Sequence, residues 1–139
     1  MISNTNISTN RKNKLDAFRE VEELLNKRKY KGFFRISSEN KSLSPDIDSI
    51  VYLRHKNNRI EKFNVAFTIE HEKAIRIYEV ELLLEGKPID YLYKPSVINI
   101  IINKIKESLY IKELNLQYSD SIIKAYIGAI ENVNHNNQL

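Results

Sequence analysis

Three histidines, a group of carboxylates in the middle of the chain and a basic-aromatic run near its start are the residues here that could do chemistry. A metal site or a catalytic triad needs its members within a few ångströms. His55 and His71 fall at opposite ends of a segment, residues 59–70, that reads as one long strand, so a rise of about 3.3 Å per residue sets them on the order of 35 Å apart. His135 lies in a polar tail, and Glu70-His71-Glu72 reads as a solvated hairpin tip. No metal and no cofactor is expected. Glu70, Glu72, Glu79, Glu81, Glu85 and Asp90 form the acidic group. Acid–base catalysis needs two carboxylates converging on one cleft with separated pKa values. Glu79 and Glu81 would share a strand face about 7 Å apart, but Lys62 and Asn64 stand opposite. Cross-strand pairing of Lys62 with Glu81 and of Asn64 with Glu79 is the expectation.

Pro45-Asp46, followed much later by a hydrophobic strand ending in Glu85-Gly86-Lys87, resembles the PD-(D/E)xK nuclease arrangement. That chemistry holds both carboxylates on one divalent metal, with the lysine beside the attacking water. The strand order puts Asp46 and Glu85 at opposite ends of the sheet, on the order of 35 Å apart, and Glu85-Gly86-Lys87 reads as a turn. Cysteine is absent, which removes thiolate catalysis and cysteine-ligated metals. The three glycines, Gly32, Gly86 and Gly128, form no phosphate-binding loop. No catalytic set survives, and a non-enzymatic protein is expected.

The net charge of +4 is concentrated at the start: residues 1–35 carry nine Lys or Arg against four Asp or Glu, and the rest is near neutral. Lys27, Arg28, Lys29, Tyr30, Lys31 and Arg35 combine base with aromatic rings, as a phosphate-tracking surface would. They are the candidate nucleic-acid-binding residues, within a wider region 11–35. The order helix, antiparallel strands, helix is similar to that of double-stranded-RNA-binding domains, but no Lys-Lys-x-Ala-Lys cluster opens the helix after Lys94.

The positioning elements follow from periodicity. With 139 residues, 42% hydrophobic and 29% charged, the chain fits one globular domain. Residues 1–13 read as a disordered arm, 14–131 as the domain and 132–139 as a frayed tail. Leu15, Phe18, Val21 and Leu25 predict an amphipathic helix over 14–29, stopped by Gly32. Phe33 to Ile36 fits a short strand. Residues 49–55, 59–70, 74–84 and 88–93 read as four strands joined by tight turns at Asn57-Asn58, His71-Glu72 and Gly86-Lys87. Ile98, Ile101, Ile105 and Leu109 predict a helix after Pro95, although the β-branched run 97–102 also fits a strand. Ser119 or Asp120 would cap a last helix bearing Ile123, Tyr126, Ile127 and Ile130. The fold expected is α+β: a four-stranded antiparallel meander with one N-terminal and two C-terminal helices, in the order α-β-β-β-β-α-α.

Two-residue loops place Ile50, Tyr52, Phe63, Val65, Tyr78 and Ile89 on one face. The other face then carries Leu53, Lys62, Asn64, Ile75, Ile77, Glu79 and Glu81, apolar with a charged middle, as a partner-binding or self-association surface would be. The expected function is a non-enzymatic protein-binding module or inhibitor, with a homodimer as one form of partner. Twenty isoleucines and an Asn- and Lys-rich composition fit a phage or mobile-element accessory protein acting on a host protein. Nucleic-acid binding is the second reading. A small-ligand site between sheet and helices, using Tyr52, Tyr78, Tyr91 and Tyr93, is the third. No apolar run is long enough to span a bilayer and no signal peptide is evident, so no membrane contact and a cytoplasmic location are expected.

Overall fold

The computed structural model describes residues 31–37, 45–70 and 73–137. The expected arm, the helix over 14–29 and the candidate residues Lys27, Arg28, Lys29 and Tyr30 lie outside them. Four antiparallel strands, β1 (Lys31–Ile36), β2 (Ile47–Lys56), β3 (Arg59–Ile69) and β4 (Lys73–Arg76), form one sheet in sequence order. Three α-helices follow: α1 (Tyr78–Leu84), α2 (Pro95–Leu109) and α3 (Leu116–Asn137), with a 3-10 helix at Ile89–Tyr93 between the first two. The α+β class and the four-stranded antiparallel meander are as expected. The strands that make it up are not all those anticipated, because β1 takes the place assigned to residues 88–93.

Register explains the difference. The Asn57-Asn58 turn is a two-residue loop with both residues at positive φ, as a type I′ turn requires. Lys56 therefore faces Arg59 and His55 faces Ile60, but Arg54 then faces Lys62 and Leu53 faces Phe63. Glu61 is the extra residue of a β-bulge. Ile60 and Phe63 are spaced by three, and the extra residue lets both reach the core, where both are buried. At the other end Ile69 pairs with Lys73 and Phe67 with Ile75, so the connection has three residues, not two. These two shifts turn β2 and β4 over relative to β3.

One face now carries Val51, Leu53, Phe63, Val65, Phe67 and Ile75, all in the hydrophobic core. The other carries Asp48, Ile50, Tyr52, Asn64, Ala66 and Thr68, buried but outside that cluster. The mixed second face expected from sequence is resolved into one apolar and one largely polar face.

The same register ends β4 at Arg76. Were the strand to continue, Glu79 would stand opposite Phe63 on the apolar face. Coiling into α1 instead buries Val80 and Leu84 and leaves Glu79 exposed. Residues 74–84 are thus a short strand followed by a helix. Residues 88–93 begin with Pro88, which has no N–H for a ladder; they coil so that Leu92 enters the core. Gly86, at φ 82, terminates α1 and does not turn a hairpin.

Residues 97–102 are helical, with Val97, Ile101 and Ile105 buried along one stripe. Helix α3 starts one turn earlier than expected because Asn115 Oδ1 accepts the Tyr118 N–H at 2.7 Å, a side-chain cap. It continues through residues 132–137, where a frayed tail is expected, and Val133 is buried. Ile122, Ala125, Tyr126, Ala129, Ile130 and Val133 form its buried stripe, which packs over β1 and β2. The approach needs glycine: a Cβ at Gly32 would lie 1.9 Å from the Ala129 carbonyl oxygen, and one at Gly128 would lie 2.4 Å from the Phe34 ring.

Candidate functional site

The residues expected to line a partner surface are distributed by this register. Leu53, Ile75 and Ile77 belong to the core, and Asn64 and Glu81 are buried as well. Lys62 and Glu79 stay accessible, in ion pairs with Glu85 at 3.1 Å and Lys104 at 3.4 Å. Five of the seven are therefore not presented at the surface, because the bulge and the three-residue connection move them inward or pair them there. Of the candidate nucleic-acid-binding residues, Arg35 is exposed and engages Asp48 through both Nε at 2.7 Å and Nη2 at 3.2 Å. The Asp48 hydrogen bond holds the Arg35 guanidinium pKa above its ordinary value. Thr68 Oγ1 donates to the same carboxylate at 3.2 Å, tying β1, β2 and β3 together on the polar face.

The expected separations persist where they can be followed. The Asp46 carbonyl accepts the Glu70 N–H at the far end of β3, while the Gly86 N–H bonds Ile60 O near its start. Asp46 and Glu85 thus flank opposite ends of a strand roughly 30 Å long. His55 is exposed beside the hairpin turn, and His71 lies outside the described residues. No group of metal-ligating side chains forms among the described residues. Tyr52 is buried on the polar face, Tyr91 lies under the Lys94 ammonium at 4.2 Å, and Tyr93 is partly exposed near Glu131.

Glu81 anchors the most developed polar cluster. Where β4 stops, the Val65 N–H has lost its strand partner, and Glu81 Oε2 accepts it at 3.1 Å. Asn64 Nδ2 donates to Oε1 at 3.1 Å, and Arg76 donates through Nε and Nη2, both at 2.9 Å. Four donors occupy a carboxylate that is 6% exposed. The paired Arg76 guanidinium has its pKa raised, chiefly by the Glu81 hydrogen bond. It also stacks over the Tyr78 ring, 4.3 Å from the centroid. These four donors fill the acceptor positions of the carboxylate. It functions as a clip that closes the open end of the sheet and fixes α1 against β3.

The outer flank of α1 is apolar. Tyr78 and Leu82, one turn apart, are 58% and 76% exposed, with Leu83 partly exposed beside them. Alongside runs the edge of β4. The Ile77 N–H donates to Val65 O, so the antiparallel alternation turns the main-chain groups of Ala74 and Arg76 away from β3, toward a side where no strand pairs with β4 among the described residues. At the other end of β4 the Lys73 ammonium donates to Ser108 O and lies 5.2 Å from the ring of Tyr110, which is 93% exposed. Sequence periodicity does not reveal this surface, since alternation places Tyr78 on a buried strand face. Its one sequence signal is the run Leu82-Leu83-Leu84, which no alternating strand can bury on one side. No family model matches the chain, and no curated protein is significantly similar to it.

Proposed function

We propose that this protein is a non-enzymatic protein-binding module whose docking surface is the exposed flank of α1 together with the adjoining edge of β4. The observation that supports it is the exposure of Tyr78 and Leu82 on a helix whose other side is locked to the sheet by Glu81. A fixed helix presenting an aromatic and an aliphatic side chain is the form in which anchor residues occur at interfaces. Burying what Leu82 and Tyr78 still expose is worth about 1 to 2 kcal/mol each. With Leu83 the sum corresponds to an affinity in roughly the millimolar range. A micromolar complex therefore needs a further contribution, and the outward main-chain groups of Ala74 and Arg76 can supply it by accepting a partner strand.

A photocrosslinking amino acid at position 82 of the full chain, exposed to a lysate of the source cells, tests this reading. A discrete adduct is expected there and not from Lys124, an exposed position on α3, and it should disappear with Tyr78→Ser/Leu83→Ser. Equal labelling from both positions, or no adduct, would refute the proposal.

A further inference from the structure

The β2–β3 hairpin ends in a concentration of positive charge that the α1 surface does not use. Residues 54–59 are all exposed. Arg54 is the cross-strand neighbour of Lys62, and Lys56 is that of Arg59. β2 alternates regularly here, so Arg54 and Lys56 share a face, and their partners share it with them. Four cations thus form a two-by-two array, roughly 5 Å across the ladder and roughly 7 Å along it. Like charges directly opposite each other destabilise a sheet, and here two such pairs stand in succession. Lys62 is partly compensated by Glu85 at 3.1 Å, and Arg59 donates to the Gly86 carbonyl at 3.0 Å. Arg54 and Lys56 form no ion pair among the described residues. Glu61 is the one acid within 54–62.

We propose that this face of the hairpin tip binds the phosphodiester backbone of a nucleic acid. A phosphate between Arg54 and Lys62 and the next between Lys56 and Arg59 would turn each repulsive pair into a clamp. The exposed Asn57 and Asn58 amides add neutral donors at the turn. Contacts of this kind position a strand without reading its sequence, and they weaken as salt rises. The surface is separate from the α1 flank, so either assignment can fail without the other.

Anisotropy titrations of the full chain with a labelled single-stranded DNA oligonucleotide, and with the duplex of the same sequence, over a range of salt concentrations test the assignment. Two neutralised phosphates predict a slope of log affinity against log salt of about −1.8 for the duplex and about −1.4 for the single strand. The stronger of the two identifies the preferred form of the backbone. Arg54→Gln/Lys56→Gln should lower the affinity by about tenfold or more at low salt and remove roughly half of the slope. Its thermal midpoint should be unchanged or higher, because two like-charge pairs are gone, which separates loss of a site from loss of the fold. No binding at low salt would overturn the assignment. So would binding that ignores this variant and instead follows Lys27→Gln/Arg28→Gln/Lys29→Gln.

Discussion

Replacing Glu81 by alanine should be among the costlier single substitutions outside the hydrophobic core. The carboxylate is buried, and its removal leaves three donor groups without their acceptor. An orphaned Val65 N–H costs about 1 to 3 kcal/mol. Breaking a fully buried ion pair costs about 3 to 5 kcal/mol, less here because the Arg76 side chain keeps 19% exposure and can partly rehydrate. A total of about 3 to 4 kcal/mol is expected, a large part of the roughly 5 to 15 kcal/mol that holds a domain together. Urea unfolding followed by circular dichroism measures it directly, and the thermal midpoint should fall by roughly 10 to 15 °C. Glu81→Gln should cost about half as much, since its amide oxygen can still accept the Val65 N–H while its NH2 meets donors. In a double-mutant cycle Arg76→Met should cost less in the Glu81→Ala background than in the wild type, with a coupling of about 1 to 3 kcal/mol. Hydrogen exchange at the Val65 amide supplies the local readout. A Glu81→Ala protein that loses less than about 1 kcal/mol and keeps the Val65 amide protected would show that the clip is incidental and that α1 is held by its apolar face alone.

The other substitutions probe the packing. Gly32→Ala should destabilise more than Gly128→Ala in the same unfolding assay: the first adds a methyl against a helix carbonyl, the second against the Phe34 ring, which can shift at a cost of about 1 to 3 kcal/mol. Phe34→Leu should recover part of the loss in the Gly128 variant and none in the Gly32 variant. Ser49 Oγ is buried without a hydrogen-bond partner, so Ser49→Ala should leave stability unchanged or raise it by about 1 kcal/mol, read as a shift in the urea midpoint. Burial raises the Tyr126 phenol pKa above its ordinary value, and the same cause acts on Tyr93 and Tyr118. The folded protein therefore keeps protons that the unfolded chain releases, and stability should fall as the pH rises above about 10. Tyr126→Phe should flatten this alkaline loss while costing about 1 to 2 kcal/mol at neutral pH, since the Leu92 carbonyl loses its donor at 2.7 Å.

The class, the meander and the helices of the C-terminal half were legible because they rest on composition, turn residues and runs of apolar spacing. Asn57-Asn58 and Pro95 were read correctly for a local reason: each constrains its own backbone. The faces of the sheet were not legible, because register accumulates along the chain and one extra residue inverts everything beyond it. The spacing of three between Ile60 and Phe63 was the visible sign of the bulge, off-phase with the alternation of Phe63, Val65 and Phe67. Tyr78 to Leu84 fits strand and helix alike, and the choice falls to a long-range fact, the position of Glu79 opposite Phe63. Strand spacing pairs Lys62 and Asn64 with acids of the right type, but each partner lies farther along the chain, Glu85 and Glu81, since the segment that carries them coils. The Asn57-Asn58 turn alone sets Lys56 opposite Arg59, whereas the Arg54–Lys62 pair depends on the bulge.

The contact between Gly32 and the backbone of α3 also sets the order of events during synthesis. The first strand of the sheet closes against a helix made roughly a hundred residues later, so at ribosomal speeds of about 5 to 20 residues per second β1 waits on the order of 5 to 20 s for its cover. Throughout that interval Phe34 and Ile36 have no α3 to pack against. A nascent chain halted before Val133 emerges should be a better substrate for holdase chaperones than one halted after it.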